Sequence, residues 1–507
     1  MLKIENDKKN TYIILGVIVS ISFFIKLIYL GWDQPLILDG LKNFLYSSAI
    51  NFHGYLPQDW SPTNNGWPIF VAIIFALFDF NTTLDYMNLQ RLISITLSCL
   101  VIIPTFFLCK RFFDNKISLI SSMILAFEPR LIINSVLGIT EPLFMLLGIS
   151  SLVILLKNSK INIIISFILV SFCTIVRSEG IFLFFSLIII LIIKNKLKFD
   201  LFKILIPSIL IFALIITPIS IYKNEVNGND GIFQRVTTES NDIIFSSDNS
   251  SKYQFELGIE LFIKYLGWIM IPIFILFLPI GLFLKVFRIR NKDTDFLYII
   301  LIVFLFPIFY AYYMNAQDTR YFYFLYPIFC LISCFTIQKI YEKIKNKKFH
   351  LIFSIIFAIT IFSSAIIFIE NFYDEFFIIE NENFKISKLV SEKISGVNHG
   401  NSLIWYLNTN KIPEKWPFKF EMDNYDIFVK KSDGSNNIVD YIKSSNGQLS
   451  HLIIYDNNEE KFFNDLFINE QKYPFLNKIF DSHDYQFSQD VKIFKINYEE
   501  FEKFLIN

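Results

Sequence analysis

Residues 30–68, LGWDQPLILDGLKNFLYSSAINFHGYLPQDWSPTNNGWP, form a polar and aromatic segment directly after the first hydrophobic stretch of the chain. That stretch, TYIILGVIVSISFFIKLIYL (11–30), is long enough to cross a bilayer core of about 30 Å, which takes about 20 helical residues. The polar segment places an acid, Asp39, close to the point where this helix leaves the lipid. A carboxylate at that height is suited to chemistry on a substrate whose tail lies in the bilayer.

The composition places the whole chain in the membrane class. Of its 507 residues, 53% are hydrophobic and only 18% are charged, and apolar runs recur along most of its length. This pattern indicates a polytopic helical membrane protein and excludes a soluble globular protein. The formal net charge is zero, but the charges are unevenly distributed along the chain, so this value says nothing about partners. No nucleic-acid partner is expected. All five cysteines fall inside apolar runs, where we expect them to be small buried hydrophobic residues.

The distribution of basic residues predicts the topology. Six loops together hold 21 Lys and Arg, and all six lie on one side of the membrane only if the short apolar segment 67–80 does not cross it. Because basic loops mark the cytoplasmic side, we expect 67–80 to be interfacial or re-entrant and the N-terminus to be cytoplasmic, with an uncleaved first helix. The eleven expected spans are 11–31, 87–109, 117–136, 141–157, 161–177, 179–194, 200–222, 262–285, 296–313, 321–339 and 351–370.

The predicted fold is a mainly α membrane domain, residues 1–370, followed by a soluble α/β domain, residues 371–507. Beyond residue 371, short apolar strands alternate with helical patterns, which is typical of a small domain with a partly parallel sheet. If 67–80 does not cross the membrane, the topology places this domain and two long loops, 32–86 and 223–261, outside the cytoplasm. The expected strands are 402–406, 425–429, 451–456, 477–482 and 491–496, and the expected helices are 384–395, 436–444, 458–468 and 498–505.

The acids on the expected outer side are candidates for catalysis. Asp39 is suited to act as a general base toward a hydroxyl acceptor, and its alternative is an exposed loop carboxylate. Glu141, in GITEPLF, opens a helix after an outer turn, where capping of the helix start is the alternative. Glu128 and Arg130, in FEPRLIIN, are candidates because ionisable residues at membrane depth are usually functional. Their i,i+2 spacing predicts that they do not pair on one helix face.

The cations on the same side are candidates for binding a phosphate, whose developing charge fixed guanidinium groups stabilise. Arg177 and Glu179, in IVRSEGIF, interrupt a long apolar stretch, and the alternative is a charged hairpin turn. Arg320, in DTRYFYF, begins a span beside Tyr321, and the alternative is an interfacial anchor. Lys26 lies five residues from the outer end of the first span, where its alternative is to extend toward the headgroups.

The order of these features resembles the GT-C glycosyltransferases, in particular the branch of dolichyl-phosphate-mannose–protein mannosyltransferases and aminoarabinose transferases. The resemblance covers about residues 20–330 and implies a polyprenyl-phosphate sugar donor, juxtamembrane helices in the first outer loop and an inverting displacement. The stretches that carry it are IKLIYLGWDQPLILDG, YSSAINFHGYLP, NNGWPIF, LQRLIS, GITEPLF, IVRSEGIF and DTRYFYFLYP.

The resemblance also implies roles for particular residues. Asp39 would be the catalytic base and Glu141 a second catalytic acid on the outer face. The substrate-binding residues would be Lys26, Tyr46, Arg177, Glu179, Arg320 and Tyr321. Many relatives carry a second acid after the loop aspartate, where this chain has Gly40. No cofactor is required by the sequence, and a divalent metal is left open because metal dependence varies in the superfamily.

The expected function is therefore transfer of one sugar to a protein, lipid or glycan acceptor outside the cytoplasm, with membrane lipids as the surroundings. The WWDYG signature of oligosaccharyltransferases is absent from residues 371–507, which argues against transfer of a whole oligosaccharide. Two alternatives stay open at this point. One is a flippase or polymerase of lipid-linked saccharides, and the other is a non-catalytic membrane scaffold for the C-terminal domain.

Overall fold

The computed structural model describes residues 2–58, 61–80, 82–195, 199–228, 230–231, 249–287, 294–344, 347–390, 396–399, 427–429, 437–445, 447, 449–456, 461–488 and 490–506. The chain forms two compact units. The first comprises residues 1–31, 42–77 and 88–371, and the second comprises residues 32–41, 78–87 and 372–507. Since the second unit takes in two segments of the expected first outer loop, a division of the chain at residue 371 stays a proposal.

Helices make up the N-terminal three quarters of the chain. Hydrophobic runs without charges form most of them, because a helix satisfies every backbone polar group internally. The helices are α1 Leu2–Ile28, α2 Leu38–His53, α3 Gly66–Phe75, α4 Thr83–Leu100, α5 Ile102–Lys110, α6 Asn115–Ala126, α7 Pro129–Ser135, α8 Glu141–Leu155, α9 Lys160–Val176, α10 Gly180–Asn195, α11 Phe199–Asn227, α12 Asn249–Met270, α13 Phe274–Phe287, α14 Phe296–Tyr313, a 3₁₀ helix Thr319–Leu325, α15 Tyr326–Lys343 and α16 Lys347–Val390.

Six helical segments among the described residues are long and apolar enough to cross a membrane, and the number is eight if each of two bent pairs is one span. Three shorter apolar helices, α8, α9 and α10, occupy the other predicted span positions. The bent pairs are α6 with α7, at 54°, and α12 with α13, at 106°. Pro129 opens α7 and Pro272 lies between α12 and α13, and a proline cannot continue the preceding helical hydrogen bonding. The expected single spans 117–136 and 262–285 are therefore each two helices.

Helix α3 corresponds to the ambiguous apolar segment 67–80. It has only 10 residues, so it is about 15 Å long and covers about half of a bilayer core. This length supports the expectation that the segment does not cross.

The expected outer loop 223–261 is helical at both ends, because α11 continues to Asn227 and α12 begins at Asn249. Polar residues lengthen both helices beyond their apolar parts, at the C-terminal end of α11 and at the N-terminal end of α12, which the composition alone does not reveal. The middle of the loop, residues 232–248, lies outside the described residues.

The C-terminal part of the second unit contains a five-stranded sheet in the order β2-β1-β3-β5-β4. Strand β1 pairs in parallel with β2 and β3, whereas β5 is antiparallel to β3 and β4, which confirms the expected partly parallel sheet. The predicted strand 402–406 lies outside the described residues. The elements are β1 Gly396–His399, β2 Ile427–Val429, α17 Ile438–Lys443, β3 Leu449–Tyr455, α18 Lys461–Ile468, β4 Leu476–Asp481, β5 Val491–Ile496 and α19 Tyr498–Ile506.

Helices α17, α18 and α19 pack on one face of this sheet through buried apolar side chains, which include Tyr441, Phe463 and Phe501. The other face packs against Ile386, near the end of α16. This arrangement gives the sheet two covered faces, as expected where parallel strands are present.

A hydrogen-bonded carboxylate in this unit predicts a pH dependence. The Tyr473 hydroxyl donates to Asp465 at 2.8 Å, and this bond, with those from Asn469 and Lys472, lowers the pKa of Asp465 to about 2. A pKa lowered by folding stabilises the folded state above the ordinary value of 3.8, and that contribution is lost as the pH falls toward 2. We expect Asp465→Asn to reduce the acid dependence of the unfolding temperature between about pH 4 and pH 2. An Asp484→Asn control, at an exposed carboxylate, should retain it.

Candidate active site

A cleft lies in the first unit, and the space in and over it, open solvent included, is about 410 Å³. Helices α8 and α14, the turn between α9 and α10, and the 3₁₀ helix supply its walls. Five of the residues singled out in the sequence line it together: Glu141, Arg177, Glu179, Arg320 and Tyr321. The structure thus brings into one cleft acids and cations that are up to 179 positions apart in the chain, from Glu141 to Arg320.

Arg177 is shared between two carboxylates. Its Nη1 lies 2.5 Å from Glu141 Oε1, and its Nη2 lies 3.0 Å from Glu179 Oε1. The Arg177 Nε also donates to Glu179 Oε2 at 3.4 Å, so the pair with Glu179 is bidentate. The side chains are only 11%, 4% and 14% exposed for Arg177, Glu141 and Glu179, which leaves little solvent to screen these ion pairs.

Two helix ends position these groups. Glu141 opens α8 after a turn in which Gly138 has a φ of +69°, a conformation that favours glycine. Arg177 is the C-terminal capping residue of α9 and has an extended backbone, with φ of −147°. The Thr140 hydroxyl accepts a hydrogen bond from Arg177 Nη1 at 3.4 Å, which adds a neutral partner to the guanidinium. Both charged groups therefore sit where a membrane helix meets a short turn.

Arg320 is the more accessible guanidinium of the cleft, with 29% of its side chain exposed. Asp318 precedes the 3₁₀ helix, accepts from the Arg320 backbone N–H at 2.9 Å and lies 3.2 Å from its Nε. The guanidinium carbon is 5.8 Å from the centre of the Tyr321 ring, within the range of a cation–π contact. This side chain is oriented by its neighbours and remains reachable from solvent.

Aromatic and aliphatic side chains form the rest of the cleft. Phe304 and Phe324 stack with ring centres 4.3 Å apart, and Phe144 lies 5.1 Å from Phe324. Pro307 and Ile308 continue the apolar wall. A wall of this kind beside two guanidinium groups is suited to an amphiphile that carries an anionic head and an apolar tail.

Two of the predicted binding residues do not line this cleft. Lys26 is buried, and its Nζ donates to Ser98 Oγ at 2.7 Å, so it does not extend toward the headgroups. Tyr46 is also buried, and its hydroxyl lies 2.7 Å from that of Tyr222. The binding roles predicted for Lys26 and Tyr46 stay predictions.

Asp39 lies in the first turn of α2, and its side chain is exposed. It belongs to the second unit, whereas every residue that lines the cleft belongs to the first. Its role as a base therefore stays a prediction, supported by the sequence resemblance.

The expectation that Glu128 and Arg130 do not pair is wrong. Arg130 Nη1 lies 3.2 Å from Glu128 Oε1, because Glu128 precedes α7 in an extended conformation, with ψ of 115°, and so is not on the helix face. Arg130 also donates to the carbonyl groups of Trp268, at 2.6 Å, and Ile271, at 2.5 Å. These bonds satisfy carbonyl groups at the end of α12, where a helix leaves its last acceptors unpaired. The arrangement gives Arg130 a structural role at the bend.

Sequence reasoning assigned no role to several residues that line the cleft or contact its charged side chains. Thr140 and Asp318 are neighbours of predicted residues, but only the fold shows that they orient Arg177 and Arg320. Phe144, Phe304 and Phe324 could not be distinguished from the other phenylalanines, of which the chain has 59. Tyr323 also lines the cleft. It lies three residues after Arg320, and residues i and i+3 share a face of a 3₁₀ helix, so this spacing is a local signal that could have identified Tyr323.

Metal binding has no candidate among the described residues, where no group of three or more His, Cys, Asp or Glu side chains is close enough together. The carboxylates of the cleft, Glu141 and Glu179, are both engaged with Arg177. Metal dependence accordingly stays open.

Comparisons with known proteins address the fold. No family model and no curated protein matches the sequence. ArnT from Cupriavidus metallidurans bound to undecaprenyl phosphate matches the structure with a TM-score of 0.57 and 10% identity, over 95% of this chain and 97% of that chain. ArnT is a GT-C membrane protein. The chain has the GT-C fold.

Archaeal relatives of this fold match as well. The apo oligosaccharyltransferase of Archaeoglobus fulgidus gives a TM-score of 0.53 at 10% identity, over 88% of this chain and 69% of that chain. AglB from the same organism, in complex with an inhibitory peptide and a dolichol-phosphate, gives a TM-score of 0.52 at 10% identity, over 87% of this chain and 69% of that chain. The expected mainly α GT-C fold with a C-terminal sheet is confirmed by these matches and by the helices and strands described above.

Proposed function

We propose that this GT-C chain transfers a monosaccharide, with inversion, from a polyprenyl-phosphate donor to an acceptor on the extracytoplasmic side of a membrane. The acceptor would be a protein, lipid or glycan. The observation that carries the proposal is the cleft in which Arg177 and Arg320 stand beside an apolar wall. Among the proteins of this fold, one is bound to undecaprenyl phosphate and another to a dolichol-phosphate, ligands with the same anionic head and apolar tail.

The proposed reaction assigns tasks to Asp39 and to the two arginines of the cleft. The acceptor hydroxyl attacks the sugar carbon that is bonded to the phosphate, and the bond from that carbon to the phosphate oxygen breaks. Asp39 takes the proton of the hydroxyl, and the lipid phosphate leaves with the electron pair. Arg177 stabilises the charge that develops on the leaving phosphate. Because a phosphate is a good leaving group, this scheme needs no strong general acid.

The two arginines have different tasks in this scheme. Arg320 is 29% exposed, so it is the group that a donor phosphate meets first. Arg177 is 11% exposed and already bonded to Glu141 and Glu179, so a phosphate oxygen would have to replace one of these carboxylates. We therefore assign donor capture to Arg320 and stabilisation of the leaving phosphate to Arg177.

Replacing Arg320 by Gln tests donor capture. We expect donor binding to weaken by a factor between about 10 and about 100, because a charge-assisted contact with phosphate contributes about 1.5–3 kcal/mol. Arg320→Lys should recover part of the affinity, since it keeps the charge but not the planar fork. Binding of a polyprenyl-phosphate analogue to purified protein measures the effect. Arg111→Gln is the control, because it removes an exposed guanidinium that follows α5 and does not line the cleft. Equal losses of donor affinity in Arg111→Gln and Arg320→Gln would contradict the assignment.

The proposed activity is tested with a panel of polyprenyl-phosphate sugars. Purified protein in lipid vesicles should release the lipid phosphate from at least one donor, in an amount equal to the sugar transferred. Movement of an intact lipid-linked sugar across the vesicle membrane, without release of lipid phosphate, would instead identify a flippase. A product containing several linked sugars would identify a polymerase.

A further inference from the structure

A short segment of the first unit touches both turns that carry the charged residues of the cleft. The segment is Asn64–Trp67, NNGW, at the start of α3, and none of its residues lines the cleft. One of the turns is 137–140, which precedes Glu141, and the other is 177–179.

Asn64 holds the turn 177–179. Its Oδ1 accepts a hydrogen bond from the backbone N–H of Ser178 at 3.2 Å. Ser178 lies between Arg177 and Glu179 and shortly before the start of α10, where backbone N–H groups have no partner within the helix. The amide side chain therefore fixes the backbone from which both charged side chains extend.

Gly66 brings the two backbones into direct contact. A Cβ atom built on Gly66 would lie 2.6 Å from the backbone nitrogen of Val176 and 2.8 Å from the carbonyl carbon of Ile175. Real Cβ atoms essentially never approach backbone atoms so closely. The start of α3 thus packs against the last turn of α9, one residue before Arg177.

Trp67 holds the other turn. Its buried indole Nε1 donates to the carbonyl oxygen of Gly138 at 3.0 Å, and Gln90 Nε2 donates to the same oxygen at 2.7 Å. Gly138 has the positive φ that shapes the turn before Glu141. One short segment therefore fixes both the backbone before Glu141 and the backbone around Arg177, while their side chains meet at 2.5 Å.

We propose that Asn64–Trp67 is a positioning element that sets the separation between Glu141 and the Arg177–Glu179 pair. Its consequence for catalysis rests on the proposed function, whereas its effect on the two turns does not. Groups that stabilise a transition state must be held closely in place, and a displacement of about 1 Å lowers rates by as much as about 100-fold. Asn64 and Trp67 are positioning residues in this sense, since they act through the turns.

The activity test compares variants of Asn64 and Trp67. Asn64→Ala and Trp67→Phe should each lower kcat about tenfold with KM for the donor changed less than about twofold, because the charged groups remain but are less well held. Asn64→Asp keeps an acceptor for the Ser178 N–H and should recover most of the kcat. Asn227→Ala is the matched control, because it removes a hydrogen bond to the carbonyl oxygen of Ser61, three residues before Asn64.

A second measurement needs no activity. Hydrogen exchange, followed by mass spectrometry on the full-length protein, should become about tenfold faster for peptides containing residues 177–180 in Asn64→Ala. Peptides containing residues 138–141 should exchange faster in Trp67→Phe, and neither region should change in Asn227→Ala.

The outcomes separate the two proposals. Faster exchange at the turns in a chain that transfers no sugar would support the positioning element and contradict the proposed function. Unchanged hydrogen exchange at the turns, or an equal loss of kcat in Asn64→Ala and Asn64→Asp, would contradict the proposed positioning element even in an active enzyme. Gly66→Ala should disturb the turn 177–179 more than Asn64→Ala does, because its Cβ would meet the backbone of Ile175 and Val176. The test uses the other variants, because Gly66→Ala can fail to fold.

Discussion

Replacing Asp39 by Asn is expected to reduce sugar transfer by about 10²–10⁴-fold, the usual contribution of a general base. Asparagine has nearly the same shape as aspartate but does not accept the proton of the acceptor hydroxyl at neutral pH. Because Asp39 is exposed in the first turn of α2, the substitution should leave the folded protein intact. Donor binding should also be unchanged, since the phosphate is assigned to arginines. The measurement is the initial rate of lipid-phosphate release with donor and acceptor saturating.

Asp33 supplies the matched control for this experiment. It is an exposed aspartate in the same loop, six residues before Asp39, so Asp33→Asn removes a similar charge from a similar position. Its transfer rate should equal that of the unmodified protein. Full turnover by Asp39→Asn would remove Asp39 from the mechanism, and equal losses in both variants would show that the charge of the loop matters and not a particular base.

Replacing Arg177 by Gln is expected to destabilise the first unit by about 3–5 kcal/mol and to abolish transfer. The loss of stability follows from burial: Glu141 is 4% exposed and Glu179 is 14% exposed, and both would lose their cation. The loss of transfer follows from the absence of the guanidinium proposed to stabilise the leaving phosphate. Thermal unfolding of both proteins in the same detergent measures the loss of stability, and release of lipid phosphate measures the loss of transfer.

A double variant separates these two effects. Glu141→Gln removes the more buried carboxylate, so Arg177→Gln combined with Glu141→Gln should recover part of the lost stability without recovering transfer. If stability and transfer returned together, the role of Arg177 would be structural. If the double variant were no more stable than Arg177→Gln alone, the ion pair with Glu141 would not be the source of the loss.

The sequence predicted the fold class well because the membrane imposes a strong pattern. Apolar runs of about 20 residues identified the helix positions, and the change in composition near residue 371 identified the sheet. The bends were not predicted, because the hydrophobicity of a segment does not indicate whether its helix axis changes direction. The run 262–285 reads as one span, yet α12 and α13 meet at 106°.

The charged part of the cleft was also predictable, whereas its supports were not. Arg177, Glu179 and Arg320 stood out because charges are rare beside apolar spans. Asn64 and Trp67 lie in NNGWPIF, one of the stretches that carry the resemblance, but polar and aromatic residues are common in an outer loop and the resemblance assigned these two no role. Their importance depends on contacts with residues more than 70 positions away, such as the bond from Trp67 to Gly138, and no local pattern specifies those contacts.

The balance of charges in the cleft affects how the proposed donor lipid would be selected from a membrane. Its lining holds two guanidinium groups and two carboxylates, so the formal charges of these four side chains cancel. A strongly positive cleft would fill with the headgroups of ordinary anionic phospholipids, which greatly outnumber any sugar carrier. In the proposed function, the donor phosphate would compete with Glu141 and Glu179 for Arg177, and a ligand that adds further contacts through its sugar and its tail would be favoured in that competition. Discrimination against bulk lipid would thus be built into the resting ion pairs.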